Sequence, residues 1–327
     1  MMLRDLPALG RVSALLLAAG LATTLLAGPA LATAQPPGLS DFRTGDGAYF
    51  TTVGGDQVDP YFVNKAFIVL LQARVDVRAE LDGWLAWLLP RQRADGGFDR
   101  YCHAGDRDWM ACRKADADDS TAATTIELLH LALRNGLLSD RVKSEMPAVV
   151  RGSETMLVRL KNPETGIYQV FADTPTYYLM DNVEVYTALV ASGRTKAADA
   201  LASAIRHQFD QGRSWQPAFP RFEHQSFYPH VLARTFLWVP GVFTTRAEAG
   251  SDMASWMAQY GDRWRRRTDD HFAWGLVAWN LHQLAPIEAA CWRHSVRPYS
   301  SAIGWTVLDA AVDVALQHSG IGVECPR

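Results

Sequence analysis

From Tyr61 onward the apolar positions recur with helical spacing, and two kinds of helix alternate. The run Tyr61 to Val75, YFVNKAFIVLLQARV, is apolar nearly all round, whereas Arg78 to Leu89, RAELDGWLAWLL, carries an apolar stripe beside a charged one. The first pattern predicts a buried helix and the second an outer helix facing water on one side. The alternation returns at Ser120–Asn135 and Ser139–Leu160, and again at Met180–Ala191 and Lys196–Phe209. It continues with Ser226–Val239 and Arg246–Tyr260, then with Asp270–Leu284 and a short broken piece, and Trp305–His318 supplies a last helix. No convincing run of strand-like alternation accompanies them. The expected fold class is therefore all-α, five to six helical hairpins closing into an (α/α) toroid, with an open solenoid as the competing arrangement.

Two stretches fall outside this pattern. Residues 1–34 have a basic start (Arg4, Arg11), an apolar core from Ala14 to Ala27 and the small-residue site Ala32-Thr33-Ala34. These are the marks of a secretory signal peptide, and the core is shorter than the roughly 20 residues of a membrane span. Residues 35–58, rich in Pro, Gly, Ser and Asp, read as an irregular lead-in, and 59–327 as one barrel domain. The expected location is periplasmic or secreted, with no stable membrane anchor after cleavage.

Composition changes the picture in two respects. A net charge of −3, from 32 Lys and Arg against 35 Asp and Glu, offers nothing to nucleic acid or an anionic membrane. Four cysteines in a chain bound for an oxidising compartment predict disulfides, and local pairing of Cys102 with Cys112 and Cys291 with Cys325 is the first of three connectivities. The spacing around them does not suggest metal. The basic string RWRRR, Arg263–Arg267, reads as a solvated helix end.

Candidate chemistry lies where the acids fall. Asp59, Asp119, Asp181 and Asp270 each stand at or near the start of a predicted buried helix, so that all open onto one end of a ring. N-capping explains any one of them. It does not explain their company: Asn182 and Glu184 beside Asp181, His271 beside Asp270, and Tyr228 with His230 on the intervening helix. Asp119 and Asp181, with Glu184 as substitute, are the candidate catalytic carboxyl groups, one protonated and one ionised, as glycosidic bond cleavage requires. The candidate substrate contacts are Asp59, Asn182, Tyr178, Tyr228, His230, Asp270, His271 and Trp274, the aromatic rings offering flat faces to sugars. Asp116 and Asp118 read as loop and capping acids. No cofactor is implied, and the sequence has no Gly-rich phosphate loop, HExxH or GxSxG.

The paired-helix pattern with DDSTAATTIELL and MDNVEVYTAL resembles the six-hairpin glycosidase superfamily, the (α/α)6-barrel enzymes of bacterial polysaccharide metabolism. That resemblance implies acid chemistry at the starts of successive inner helices, which falls on Asp119 and Asp181, and a poly- or oligosaccharide substrate. A second, weaker resemblance is carried by DADD, Asp116–Asp119, and QRADGGF, Gln92–Phe98. They look like the DxDD motif of class II terpene cyclases and one QW-type repeat, and would make Asp118 a proton donor to an alkene. A polysaccharide lyase using Tyr228, His230 or His271 as base, a non-catalytic glycan-binding toroid, and a calcium ion on Asp116, Asp118 and Asp119 are the remaining alternatives.

Overall fold

The computed structural model describes residues 38–104, 108–212, 214–222, 226–238, 244–297 and 304–326. Residues 1–34, read from the sequence as a signal peptide, lie outside the described residues. Ten α-helices are described: α1 (Pro60–Gln72), α2 (Arg78–Leu88), α3 (Asp118–Arg134), α4 (Asp140–Leu160), α5 (Leu179–Ala191), α6 (Thr195–Phe209), α7 (Arg246–Arg266), α8 (Gly275–Leu281), α9 (Pro286–Val296) and α10 (Val307–His318). A π-helical turn at Phe227–Val231 and a 3-10 segment at Arg234–Trp238 fill the place of a further helix between α6 and α7.

The inner members pack in a closed circuit: α1 on α3, α3 on α5, α5 on the 3-10 segment, that segment on α8, α8 on α10, and α10 back on α1. This is the expected ring. Its apolar-all-round helices are inside because they have no face to give to water, and α1 buries Pro60, Tyr61 and every residue from Val63 to Leu71. The outer helices bury one stripe. In α4 that stripe is Val142, Met146, Val149, Ser153, Met156, Leu157 and Leu160, at spacings of mostly three and four. Most of the tryptophans belong to the core, among them Trp84, Trp238, Trp256, Trp264, Trp292 and Trp305.

The inner helix expected over Ser226–Val239 is broken. Pro229 has no N–H to donate, and Tyr228 before it takes an extended conformation, φ −96° and ψ 133°. The helix expected from Asp270 begins only at Gly275, after Trp274 in the left-handed region at φ 48°. The lead-in does more than precede the barrel: Phe42 and Tyr49 are fully buried, the turn Leu39–Phe42 packs on α10, and Thr52 bridges to Thr306. It covers the seam where α10 meets α1, a place no outer helix fills.

Strands are short but present. β1 (Gln57–Val58), β2 (Asp99–Ala104) and β3 (Asp108–Lys114) form an antiparallel sheet, and β4 (Tyr177–Tyr178) pairs with β5 (Ala218–Phe219). The Cys102–Cys112 disulfide ties β2 to β3, and Cys291–Cys325 ties α9 to the C-terminal tail, the pairing expected from the sequence. The QRADGGF segment works as a buckle onto α4. Gln92 donates from Nε2 to the Val149 carbonyl and to Ser153 Oγ at 3.0 and 3.1 Å. A Cβ on Gly96, at φ +92°, would lie 1.9 Å from the Gly152 carbonyl oxygen, so this approach requires glycine.

Candidate active site

The first turns of α1, α3 and α5 bring Asp59, Asp119 and Asp181 to one end of the ring, and all three are buried. Their surroundings separate capping from other roles. Asp59 is a true N-cap: its Oδ1 accepts the Tyr61 N–H at 3.0 Å, while Oδ2 accepts from Arg100 Nε at 2.6 Å. Asp119 and Asp181 are not caps, since Ala117 and Tyr178 hold those positions. Asp119 Oδ1 accepts the Ser120 N–H at 2.8 Å, and its Oδ2 is buried without a partner among the described residues. Asp181 Oδ2 is likewise buried and unpartnered.

Burial is the main force on both acids, holding their carboxyl groups well above the usual range. At Asp119 the Ser120 N–H opposes it, while the charges of Glu184 and Asp118 add to it. At Asp181 everything acts in one direction: burial first, then the charges of Asp119, Glu184 and Asp116. Two such groups cannot both ionise cheaply, so one keeps its proton while the other carries the charge.

Glu184 lies one helical turn beyond Asp181 and forms the floor. Its Oε1 accepts from Tyr61 Oη at 2.9 Å and meets Lys65 Nζ at 3.0 Å, both from α1. Burial raises the Glu184 carboxyl and the Lys65 ammonium opposes that rise. One oxygen of Glu184 is thus engaged with a cation, which neither aspartate has, while its Oε2 is buried without a partner among the described residues, like Oδ2 of Asp119 and of Asp181.

Above the pair sits a rim that the sequence only partly disclosed. Arg100, from β2, reaches Asp59 and, through Nη2, Asp116 at 3.1 Å. Tyr228 Oη donates to the other oxygen of Asp116, and the Tyr228 ring stacks on Trp274 with centroids 5.1 Å apart. Asp116 is therefore part of the group and not merely a loop acid. Tyr178 is half-buried and stacked on Phe222, and burial first, then the charges of Asp181 and Asp116, raise its phenol. Arg100, Tyr61 and Lys65 were missed. The only signal for the last two was their four-residue spacing on a helix headed by Asp59.

Other expected contacts have different work. Asn182 is fully buried and its amide is spent on backbone: Oδ1 accepts the Tyr168 N–H, and Nδ2 donates to the Tyr168 and Tyr178 carbonyls. It fastens the chain before α5 and has nothing left for a substrate. Asp270 lies in the loop before α8, where it accepts from Trp274 Nε1 at 2.8 Å and so orients the indole. His271 is exposed, and its ring has no hydrogen bond to the acid group among the described residues. His230 is buried against Tyr178 and Phe222, and burial lowers its imidazole, keeping it neutral.

Asp118 is held by Arg93 Nη2 at 2.9 Å, the same guanidinium that pairs with Asp95 and Asp99. A proton donor to an alkene must face an apolar cavity, so the DxDD resemblance finds no matching geometry. The three acids of DADD turn to three different surroundings, which also leaves the calcium arrangement without support. The basic string at the end of α7 is paired outward, Arg263 with Asp269 and Arg265 with Glu288.

A closed ring of inner helices, most of them followed by an outer one, is the architecture of an (α/α)6 barrel. Among solved structures the chain is similar to a reducing-end xylose-releasing exo-oligoxylanase, at 11% identity and a TM-score of 0.56, covering 88% of this chain and 87% of that one. A mutant of such an exo-oligoxylanase gives 10% identity and 0.59, over 87% of this chain and 88% of the other. A D-mannose isomerase gives 11% and 0.55, over 85% and 93% respectively. No protein-family model and no curated protein matches the sequence.

Proposed function

We propose that the chain is an exported glycoside hydrolase acting on a poly- or oligosaccharide, with Asp181 as general acid and Asp119 as general base. The observation that carries this reading is the pair of buried, unpartnered carboxyl oxygens on successive inner helices, in unequal surroundings. Asp181 has no group that favours its anion, so it keeps its proton and delivers it to the glycosidic oxygen as the C–O bond breaks. Asp119, whose Oδ1 accepts the Ser120 N–H, is the better placed of the two to carry negative charge and takes a proton from the attacking water. Glu184 raises both groups through its charge without joining the chemistry. The half-buried Tyr228 and Tyr178 give the sugar rings flat walls, and Trp274, buried behind Tyr228 and held by Asp270, fixes the angle of one of them.

The fold is shared with proteins whose names attach them to xylo-oligosaccharides and mannose, which supports carbohydrate as the substrate class. Two disulfides support an oxidising destination. No helix of the described residues is long and apolar enough to cross a membrane. The lyase alternative is less well supported, because Tyr228 Oη already donates to Asp116, His230 is buried against Tyr178 and Phe222, and His271 is exposed.

The test is mass spectrometry of products from neutral and acidic bacterial polysaccharides, with Asp181→Asn as control. Saturated products made only by the unaltered protein are expected. Products lighter by one water would establish a lyase, and binding without products would establish a non-catalytic toroid.

A further inference from the structure

The ring has a second opening. Beneath Glu184 and Lys65, on the side away from Asp119 and Asp181, a cavity of about 440 Å³ runs toward the C-terminal ends of the inner helices. Its wall includes Lys65, Gln72, Glu127, Glu184, Trp279 and Asn280. The volume is that of an ordinary small-molecule site.

Its electrostatics are one-sided at depth. Lys65 makes its direct ion pair with Glu184 and reaches Glu127 only through the longer-range attraction of its charge, so one buried ammonium stands against two buried acids. Glu127, on α3, is only 5% exposed and has no cation within ion-pair distance among the described residues. It accepts only neutral donors, Thr187 Oγ1 at 2.7 Å and Gln72 Nε2 at 3.4 Å. The C-terminal ends of α1, α8 and α10 supply lining residues here, so the negative ends of their dipoles lie at the cavity. The cationic side chain at the rim is Arg74, exposed, with the partly buried imidazole of His282 beside it.

The cavity is also furnished for a polyhydroxylated ring. Trp279 Nε1 donates to Gln72 Oε1 at 3.1 Å, and the indole is backed by His282 at 4.4 Å between ring centroids, so the aromatic wall is fixed in advance. The same Gln72 amide bridges that wall to Glu127. Charge, hydrogen-bonding groups and a flat apolar surface converge on one molecule.

We propose that this cavity binds a small hydroxylated amine of the amino-sugar type, its ammonium placed on Glu127 and its ring against Trp279. The site is separate from the acid pair and does not depend on the hydrolase reading.

The experiment is calorimetric titration of the whole mature protein with glucosamine, in slightly acid buffer of low salt, beside N-acetylglucosamine as the uncharged counterpart. A charge-assisted contact should favour glucosamine by roughly ten- to a hundredfold. Glu127→Gln should abolish that preference, and Asp181→Asn should leave it intact. Gln72→Lys, at an exposed position touching Glu127, should fill the site with the protein's own ammonium and abolish glucosamine binding even if Glu127→Gln does not fold. Equal binding of the two sugars, no binding of either, or a preference that survives Gln72→Lys would overturn the proposal.

Discussion

Replacing Lys65 by Met tests the floor of the site directly. The ammonium is buried and lies 3.0 Å from Glu184 Oε1, whose side chain is 1% exposed. Removing it leaves a carboxylate that water cannot reach, with Tyr61 Oη as its one remaining donor to Oε1. Breaking one side of such a pair costs about 3–5 kcal/mol, whereas replacing both partners with apolar groups of similar shape is near neutral. Lys65→Met should therefore lose about 3–5 kcal/mol in urea unfolding, and adding Glu184→Leu should restore most of it. The pH dependence carries a sign. Burial already raises the Glu184 carboxyl, and loss of Lys65 raises it further. The folded variant then binds a proton that the unfolded chain has released, so its stability falls as pH rises above the unfolded carboxyl range and recovers on acidification. A deficit below about 1 kcal/mol, the value of an exposed pair, would refute the claim that this ion pair is dry. So would a deficit that does not shrink as pH is lowered.

Other outcomes follow from the same geometry. Asp119→Asn and Asp181→Asn should each lower kcat by about 10²–10⁴-fold, the usual worth of a positioned acid or base, with helical circular dichroism unchanged. Because burial and neighbouring charge raise Asp181, the alkaline limb of kcat/KM should lie above the ordinary carboxyl range, activity falling as that proton is lost. Tyr228→Ala should raise KM more than it lowers kcat if the ring stacks on sugar, whereas an equal loss in both would place its role in the chemistry. Replacing both members of a disulfide by Ser should cost about 3 kcal/mol at Cys102–Cys112 and about 4 at Cys291–Cys325, in proportion to loops of 10 and 34 residues.

Legibility differed by level. The ring could be read because burial on all sides and burial on one side leave different apolar patterns, and α1 with α2 shows both in succession. The β2–β3 hairpin could not, since much of its surface is exposed and only Tyr101 and Trp109, on Trp87, join it to the core, too few apolar positions to set a strand period. The break at Pro229 lies within an apolar run whose period still looks helical. In the site, Asp119 and Asp181 were legible as acids beginning inner helices. Arg100 was not, because it arrives from a hairpin whose existence the pattern hid, and Asp116 became part of the group only through Arg100 and Tyr228. Asn182 misled for the opposite reason: a polar residue beside a candidate acid looks functional until its bonds to Tyr168 and Tyr178 are counted.

The seam between α10 and α1 bears on how the ring comes into being. Five hairpins form from neighbours in the chain, and their contacts need little loop closure. The sixth junction joins Thr52 to Thr306, the first stretch of the barrel to nearly the last. Such a contact, like that of the turn Leu39–Phe42 on α10, carries a large closure entropy, so this seam should form late and open first. Asp59, one of the acids at the mouth, stands only seven residues from that bridge. The active end of the barrel is therefore complete only when the circle is, and an unfinished chain would carry its acids without a site.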